Sequence, residues 1–326
     1  MTETLSSAPA SERPWRTIAA WTCAAAWGGW ALVRLTGADR IPGLDLVLVP
    51  LISLTPYAAA VSPLPVVAAL LLRRPRAAAV ATLAVAGLLS AVLPRQFGGG
   101  QPAAAGPTAR IVSANLQFGL GDPETLVRLV RDSKADVLSV QEFTPDARSG
   151  LQEAGLQTEL PYEVLAPVWG AEGTGIYSRH PLTILPPLPG TTMAQPRAAL
   201  TLGESKIEFT AVHPLPPISS TNSRDWRHVL STLPAPRRAG PVQILAGDFN
   251  ATFDHARFRA LLGRGYADAA DRRGQGLDPT WGVTQHGPPL TLDHILVSEA
   301  VAVRSYTVHD LPRSDHRAIV AELQLP

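Results

Sequence analysis

Side chains that can perform acid–base or metal chemistry stand at the ends of short apolar runs beyond residue 110. Asp248 follows the run at 244–247, and His213 follows the run at 209–212. Strand ends are rigid places from which loops can bring side chains together into one site. The residues placed in this way are Asn115, Glu142, His213, Asp248, Asn250, Asp293, Asp315 and His316.

These residue types favour a hard divalent cation and a phosphate group. Glu142 and Asn115 offer the oxygen ligands that Mg²⁺ and Mn²⁺ prefer. No Cys or paired-His spacing in the sequence indicates zinc. A cation held by few carboxylates keeps positions open for water and phosphate oxygens. Pairs of Asp and His nearby could then orient a nucleophilic water and stabilise a pentacovalent phosphorus centre.

Each of these residues also has a structural interpretation when it is considered alone. A single carboxylate at a strand end commonly caps a turn or a helix. A histidine before a proline, as at His213, is commonly a hydrogen-bonded surface residue. The functional interpretation therefore depends on the whole set. Histidines without such a placement are interpreted as structural, namely His180, His228, His255, His286 and His309.

The elements that must position these residues alternate between short apolar runs and amphipathic stretches. Asp122 followed by Pro123 predicts the start of a helix. Strands are predicted at 110–114, 136–140, 175–178, 197–202, 206–212, 242–246, 292–297 and 318–323, and further helices at 222–233 and 254–262. Many strands with few crossover-length helices favour an α+β or layered mixed-sheet domain.

The first hundred residues differ in composition from the rest. They hold eight basic and four acidic residues, against 20 basic and 23 acidic in the remainder. Three uncharged stretches lie at 17–33, 46–72 and 77–94. A helix needs about 17–25 apolar residues to cross a hydrocarbon core of ~30 Å. We therefore predict three transmembrane helices in an N-terminal membrane anchor, residues 1–95, with the proline-rich middle helix kinked.

A signal peptide followed by buried soluble helices would also explain a basic start and an apolar first stretch. Three helices that are apolar all round are more typical of a membrane domain. The turn at 73–76 contains three arginines, which indicates a cytoplasmic position. The predicted location is thus the cell membrane, multi-pass, with a cytoplasmic N-terminus and the catalytic domain on the outer face.

The composition excludes a disordered protein and a disulfide-stabilised scaffold. The chain is 46% hydrophobic with a net charge of +1, which does not fit a disordered protein. Cys23 is the single cysteine, so there is no disulfide framework.

Residues 96–109 are rich in Gly, Pro and Ala and are predicted to form a linker. The soluble domain then comprises residues 110–326.

The motifs of this domain follow one another in a characteristic order. They are Ile111-Val112-Ser113-Ala114-Asn115, Gln141-Glu142, His213, Gly247-Asp248-Phe249-Asn250, Leu292-Asp293-His294-Ile295-Leu296 and Ser314-Asp315-His316. The series resembles the endonuclease/exonuclease/phosphatase superfamily, which includes DNase I, apurinic endonucleases, inositol-polyphosphate phosphatases and neutral sphingomyelinases. The resemblance implies a four-layer α/β/β/α sandwich of two mixed sheets. It also implies metal-dependent hydrolysis of a phosphate ester by in-line attack of water.

The resemblance further implies a role for each residue. The metal ligands would be Asn115, Glu142 and Asp315, binding Mg²⁺ with Mn²⁺ as a substitute. The catalytic residues would be His213, Asp248, Asn250, Asp293 and His316, with Asp293 fixing the tautomer of His316. Asn250 and Arg197 would contact the substrate. Gln117 stands where apurinic endonucleases carry an acid, which weakens an assignment to that branch.

The substrate is predicted to be a phosphodiester, in nucleic acid or in a phospholipid headgroup. An acidic domain argues against a general DNA-binding surface, although arginines at 224, 227, 237, 238, 272 and 273 could form a local basic patch. Two alternatives stay open: a non-catalytic binding module on the same fold, and a phosphomonoesterase acting on inositol-type phosphates. A small transporter is disfavoured, because the predicted spans contain no ionisable residue that would mark an ion path. No protein partner is inferable.

Overall fold

The computed structural model describes residues 14–237, 239–283 and 287–326. Arg238 and His286, which were considered above, lie outside the described residues. An N-terminal helical unit, residues 14–96, precedes a domain of two β-sheets. Its α-helices are α1 (Pro14–Thr36), α2 (Asp45–Ser53), α3 (Thr55–Val61), α4 (Pro63–Leu71) and α5 (Pro75–Val92), with 3₁₀ turns at Ala38–Arg40 and Leu93–Gln96.

The helical unit contains fewer strongly apolar helices than the sequence predicted. Pro75–Gln96 is long and apolar enough to cross a membrane, and the pair Asp45–Ser53 and Thr55–Leu71, bent by 57°, passes the same test jointly. The structure thus supports one span, or two if the bent pair counts as one. Helix α1 is long enough at 23 residues, but its many Ala, Gly, Thr and Trp residues make it less apolar than α5. A three-span anchor is therefore not supported.

Two six-stranded mixed sheets form the second domain. The first sheet has the order β11-β12-β1-β2-β4-β3, and the second has the order β5-β6-β7-β8-β10-β9. Their strands are β1 (Thr108–Asn115), β2 (Val137–Gln141), β3 (Tyr162–Ala166), β4 (Thr174–Ser178), β5 (Thr183–Ile184), β6 (Arg197–Leu202), β7 (Ser205–Val212), β8 (Val242–Asp248), β9 (Tyr266–Asp268), β10 (Asp293–Ser298), β11 (Ala302–Asp310) and β12 (Arg317–Gln324).

Helices cover the outer faces of both sheets. They are α6 (Pro123–Asp132), α7 (Pro145–Glu153), α8 (Leu156–Glu159), α9 (Ser220–Thr232) and α10 (Ala256–Leu262). The short helix α11 (Ala269–Arg272) instead contributes Ala269 and Ala270 to the core between the sheets. One core lies between the sheets, where Ile111, Phe209 and Ile319 are fully buried. Two further cores lie between each sheet and its helices. The predicted α+β fold with two mixed, DNase I-like sheets is confirmed, and the boundaries of the predicted strands differ by only a few residues.

Strand directions explain why the chemical residues meet at one edge. Each sheet contains one parallel pair, β1 with β2 and β7 with β8. The strands β10 and β12 run antiparallel to β8 and β1 respectively. The ends of the parallel strands and the starts of the antiparallel ones therefore lie on the same side. Asp293, for example, is paired directly with Asp248 in the register of β10 and β8.

Gly247 is required where β8 meets β7. Its φ is 156°, and an added Cβ would lie only 1.9 Å from the carbonyl oxygen of Val212. The two strands approach so closely at Gly247 and Val212 that any side chain at position 247 would clash. These paired residues directly precede Asp248 and His213. This accounts for glycine before the Asp-Phe-Asn sequence.

Buried ion pairs dock the helical unit onto the sheet domain. Asp254 accepts hydrogen bonds from Arg34 Nε at 2.6 Å and from Arg95 Nη1 and Nη2 at 2.8 and 2.6 Å. All three side chains are almost completely buried. Asp39 accepts from the backbone N–H of Ala256 at the start of α10. The end of α1, which carries Arg34, and the 3₁₀ turn after α5, which carries Arg95, therefore face the sheet domain.

Residues 97–107 connect the two units without regular structure. They run along the domain surface, where the Gly106 N–H donates to Leu325 O and the Leu325 N–H donates to Pro107 O. Strand β1 begins at Thr108, two residues before the predicted start of the domain at 110.

Candidate active site

Glu142 and Asn115 meet at the edge of the first sheet. Asn115 ends β1 and is fully buried, while Glu142 directly follows β2. The Asn115 amide nitrogen donates to Glu142 Oε1 and to Asp248 Oδ2, both at 3.2 Å. The Phe118 N–H donates to Glu142 Oε2 at 2.7 Å. Asn115 thus links a carboxylate of the first sheet to one of the second.

Asp248 is the buried carboxylate at the end of β8. Burial, together with the charges of Asp293 and Glu142, raises the pKa of Asp248 to about 7, although His316 opposes the shift. Its Oδ1 accepts from the Asn250 N–H at 2.7 Å. The pKa of Glu142 is also raised by burial. Two carboxylates whose pKa values are raised in one cavity indicate a site arranged for chemistry.

Glu142 and Asn250 both have left-handed backbone conformations, with φ of 51° and 47°. Such φ values are costly for residues other than glycine and cluster at functional sites. The Asn250 side-chain amide donates to Pro214 O at 3.0 Å, which ties the residue to the loop after β7.

His316 and Asp293 form a buried pair opposite Asp248. His316 Nδ1 lies 2.8 Å from Asp293 Oδ2, and its Nε2 lies 3.7 Å from Asp248 Oδ2. Burial, the largest single influence, disfavours the imidazolium, but Asp293 and Asp248 outweigh it and raise the pKa of His316 to about 10. His316 therefore carries a positive charge at neutral pH, held by carboxylates on both sides.

His213 is the neutral histidine of the site. It is almost completely buried, and burial together with the charge of His316 lowers its pKa to about 3. His213 Nε2 lies 3.9 Å from Asp248 Oδ2, and its Nδ1 has no hydrogen-bond partner among the described residues. Neutral His213 and charged His316 thus flank the same carboxylate.

Asp248, Asp293 and His316 could hold a divalent cation. Their ligand atoms all lie within 4.8 Å of one another. Asp293 Oδ1 is buried and has no hydrogen-bond partner among the described residues, so this oxygen is available to bind a cation. The imidazolium charge on His316 makes it a poor ligand, so oxygen donors dominate the set, and hard cations prefer oxygen. The carboxylate oxygens of Asp248 and Asp293, together with those of Glu142, fit Mg²⁺ or Mn²⁺ better than zinc.

Asp315 and Arg197, two residues predicted from the sequence, lie differently. Asp315 reaches the cavity, where its Oδ2 accepts from Trp281 Nε1 at 3.0 Å. Arg197 does not line the cavity. Its guanidinium donates to Pro186 O and lies 3.5 Å from Glu208. The structure therefore unites the predicted site residues with the exception of Arg197, whose role in substrate binding stays a prediction.

Four residues that sequence reasoning did not assign to the site hold its members in place. Gln195 accepts from the His213 N–H and donates to His213 O. Ser314 donates to Asn115 O and accepts from the His316 N–H. Thr280 Oγ1 accepts from the Asp293 N–H at 3.0 Å, and Trp281 binds Asp315 as described. Only Ser314 carried a sequence signal, since it stands within the Ser-Asp-His motif.

His294, which follows Asp293, belongs to the core instead. Its Nδ1 lies 2.8 Å from Asp268 Oδ2, and its Nε2 lies 2.8 Å from Ala251 O. The ring packs against Phe258 at 4.3 Å between centroids. Alternation along β10 thus places Asp293 in the site and His294 in the hydrophobic layer beneath it.

The site opens into a cavity of about 440 Å³. Its walls come from both sheets, from the loop after β7 and from helix α2. Neither lysine nor arginine occurs among the described residues that line it.

A family model for the Endonuclease/Exonuclease/phosphatase family matches residues 112–316. The chain belongs to this family. With the geometry above, it is a metal-dependent phosphoesterase of the endonuclease/exonuclease/phosphatase type. No curated protein matches the sequence.

Solved structures share the fold at low sequence identity. An endonuclease/exonuclease/phosphatase family protein from Leptotrichia buccalis is 18% identical with a TM-score of 0.52, covering 67% of this chain and 100% of its own. TDP2 from D. rerio, solved with a single-strand DNA product, is 20% identical with a TM-score of 0.52, covering 66% and 98%. The 3' phosphatase NExo from Neisseria, bound to a product DNA hairpin, is 19% identical with a TM-score of 0.51, covering 65% and 98%.

Proposed function

We propose that this chain is a membrane-anchored, Mg²⁺-dependent phosphodiesterase that acts by in-line attack of water. The observation that carries the proposal is the placement of Asp248 between His213 and His316, beside Glu142 in one cavity. The arrangement provides a base for water, a cationic donor for phosphate oxygens and carboxylates for a divalent cation.

In the proposed reaction, the oxygen of water bonds to phosphorus while the ester bond to the leaving alcohol breaks. Asp248 takes the proton of the water, and His316, fixed by Asp293, gives its proton to the leaving oxygen. The proton on Asp248 then returns to His316 across the 3.7 Å between them. Asn250 hydrogen-bonds a phosphoryl oxygen, and His213 orients the leaving group. Mg²⁺ held by Glu142 and Asp315 would supply Lewis-acid stabilisation of the phosphoryl oxygens. Asn115, whose amide nitrogen donates to Glu142 and Asp248, would bind the cation only with its amide rotated.

The charge of the cavity favours a phosphodiester over a phosphomonoester. A diester carries one negative charge, whereas inositol-type monoesters and polyphosphates carry several. Multiply charged phosphates are usually bound by Arg and Lys, and the described lining contains neither. His316 alone supplies a positive side chain there, which matches a single phosphodiester charge.

The surface of the helical unit supports membrane attachment. Alanines of α1 and α5, such as Ala24 and Ala81, are fully buried at the helix–helix contact. Large apolar residues point outward instead, with Leu71 and Leu83 exposed by 78% and 73%. Small residues inside and large apolar residues outside are typical of packing in lipid. We propose that α5 and the α3–α4 part of the bent pair lie in the membrane with α1 packed against them, and that α2, whose Val49 packs into the core of the sheet domain, lies at the membrane surface.

The arginines at the ends of the helices support an orientation. Arg73 and Arg74 lie in the turn before α5, and Arg76 lies in its first turn. Arg95 follows α5 at the end that faces the sheet domain. The basic turn is proposed to be cytoplasmic. Since α5 then crosses the membrane once, the catalytic domain lies on the outer face.

Glu142→Gln should raise the Mg²⁺ concentration for half-maximal activity by about 10- to 100-fold. The amide removes the negative charge that the cation would bind, while the hydrogen bond from Phe118 can persist. The measurement is a Mg²⁺ and Mn²⁺ titration of bis-p-nitrophenyl phosphate hydrolysis. Glu163→Gln, which alters only a surface ion pair with Arg148, is the matched control. An unchanged Mg²⁺ requirement in Glu142→Gln would exclude Glu142 as a ligand.

The membrane proposal predicts that the full chain stays in the pellet after alkaline carbonate extraction of cell membranes. Protease added to intact spheroplasts should degrade an epitope at the C-terminus and spare one inserted into the basic turn at 73–76. A chain released by carbonate would disprove the anchor. Protection of the C-terminal epitope would reverse the orientation.

A further inference from the structure

Helix α2 of the helical unit forms one wall of the catalytic cavity. Val49, Pro50 and Ser53 line the same cavity as Glu142 and His316. The wall is firmly held, because Val49 belongs to the core that includes Trp226, and its carbonyl oxygen lies 2.9 Å from His255 Nε2. The helical unit is thus part of the substrate-binding site as well as an attachment.

Further apolar residues line the cavity near its catalytic groups. Leu215, Pro217 and Ile218 come from the loop after β7, and Phe118 comes from the loop after β1. Ile218 is 76% exposed and Phe118 is 55% exposed. Exposed apolar side chains that adjoin a catalytic site are typical of a ligand-binding surface.

Electrostatics argue against a nucleic acid in this cavity. A polyanion needs several basic contacts along its backbone, and the described lining offers carboxylates and His316 without Lys or Arg. Two of the arginines considered for a basic patch are engaged elsewhere. Arg227 pairs with Asp45 of α2, and Arg272 donates to the carbonyl oxygens of Gly100 and Glu299.

We propose that α2 and the Leu215–Ile218 loop form an apolar subsite for the nonpolar part of a membrane lipid phosphodiester. The inference rests on the proposed phosphodiesterase function and names its substrate class. A lipid is the expected occupant because α2 connects two apolar surfaces. It belongs to the helical unit, whose outer surface is apolar, and it also lines the cavity that contains His316. A lipid can therefore place its phosphate at the catalytic groups while its nonpolar part stays against α2.

The test compares phospholipids that share a headgroup and differ in their acyl chains, using the full chain in detergent micelles with Mg²⁺. Dioleoyl and dibutyroyl phosphatidylglycerol are assayed with bis-p-nitrophenyl phosphate, which lacks an acyl chain. The wild type should show a kcat/KM at least about tenfold higher for the long-chain lipid than for the short-chain lipid. Burial of a few additional CH₂ groups in the subsite is sufficient for a difference of this size. Ile218→Ser should lower this ratio severalfold.

Enrichment of long-chain lipids in micelles could also favour them, so a matched variant is needed. Ile184 on β5 is 73% exposed and does not line the cavity. Ile184→Ser should leave the chain-length ratio at the wild-type value. Equal ratios in Ile218→Ser and Ile184→Ser would overturn the subsite.

The remaining outcomes separate the two proposals. Hydrolysis of bis-p-nitrophenyl phosphate without hydrolysis of either lipid would overturn the lipid subsite and leave the phosphodiesterase function standing. Faster hydrolysis of single-stranded DNA than of lipid would do the same. Failure to hydrolyse any of these substrates would overturn the proposed function itself.

Discussion

Replacing Asp248 with asparagine should lower kcat by about 10²- to 10⁴-fold, the range expected when a general acid–base group is removed. The amide keeps the size of the side chain and can still accept from the Asn250 N–H, so the fold should persist. It cannot take a proton from water or return one to His316. The measurement is steady-state hydrolysis of bis-p-nitrophenyl phosphate at saturating Mg²⁺.

Asp310→Asn provides the matched control for this change. The Asp310 side chain is 83% exposed and pairs with Arg317 at the surface, so its kcat should remain near the wild-type value. Calorimetric Mg²⁺ binding by Asp248→Asn separates the two roles that the geometry allows. A low kcat with normal Mg²⁺ affinity indicates acid–base function, whereas a kcat within threefold of the wild type would refute any chemical role for Asp248.

Asp254→Asn should destabilise the full chain by about 3–5 kcal/mol, the cost of removing one partner from a buried ion pair. Arg34 and Arg95 would then be buried without the carboxylate that accepts their hydrogen bonds. The measurement is thermal and denaturant unfolding of the detergent-solubilised protein. Glu322→Gln, which breaks the half-exposed pair with Arg110, should cost ~1 kcal/mol or less.

A triple replacement tests whether the destabilisation comes from leaving the two arginines buried without a carboxylate. Changing Arg34 and Arg95 to Met together with Asp254→Leu removes all three charges of these ion pairs at once, and such replacements are often close to neutral. If Asp254→Asn alone were as stable as the wild type, Asp254 would not hold the two units together.

The pH dependence of this contact has a definite sign. Burial is the largest single influence on Asp254, but Arg95 and Arg34 outweigh it and hold its pKa below the ordinary value. Its stabilisation is therefore fully present above the pKa of the unfolded chain, ~3.9. It is lost as the pH falls through the lower pKa of the folded protein.

Strands buried on both faces were predictable from the sequence, and edge strands were not. The central strands β2 and β8 are mostly apolar and buried along their whole length, because both of their faces are covered. Strand β11 was missed, since it lies at the edge of the first sheet and mixes buried residues with polar ones such as Arg304 and His309. Strand β9 has only three residues, which is too short for a periodic signal.

The candidate site was predictable as far as its residues follow motifs along the chain. The order from Asn115 to His316 was sufficient to collect it, because both sheets present their strand ends at one edge. The contacts of Gln195 and Thr280 could not be predicted, since they depend on how separate loops pack in three dimensions. The same limit applies to the orientation of the Asn115 amide, whose nitrogen faces the carboxylates.

The docking of the helical unit onto the sheet domain could not be predicted from the sequence. Asp254 was interpreted as the start of a helix, yet α10 begins at Ala256 and Asp254 is buried against Arg34 and Arg95. Charge counting treated the N-terminal arginines as topology signals only. Their second function, docking, depends on a partner far away in the chain.

The docking cluster also has a consequence for biogenesis. Asp254 lies 220 residues after Arg34 and 159 residues after Arg95. The ribosome therefore delivers both arginines long before the carboxylate that pairs with them. The helical unit must await synthesis and folding of the catalytic domain before α2 can take its place beside the site, so that assembly of the two units and completion of the catalytic cavity are a single late event.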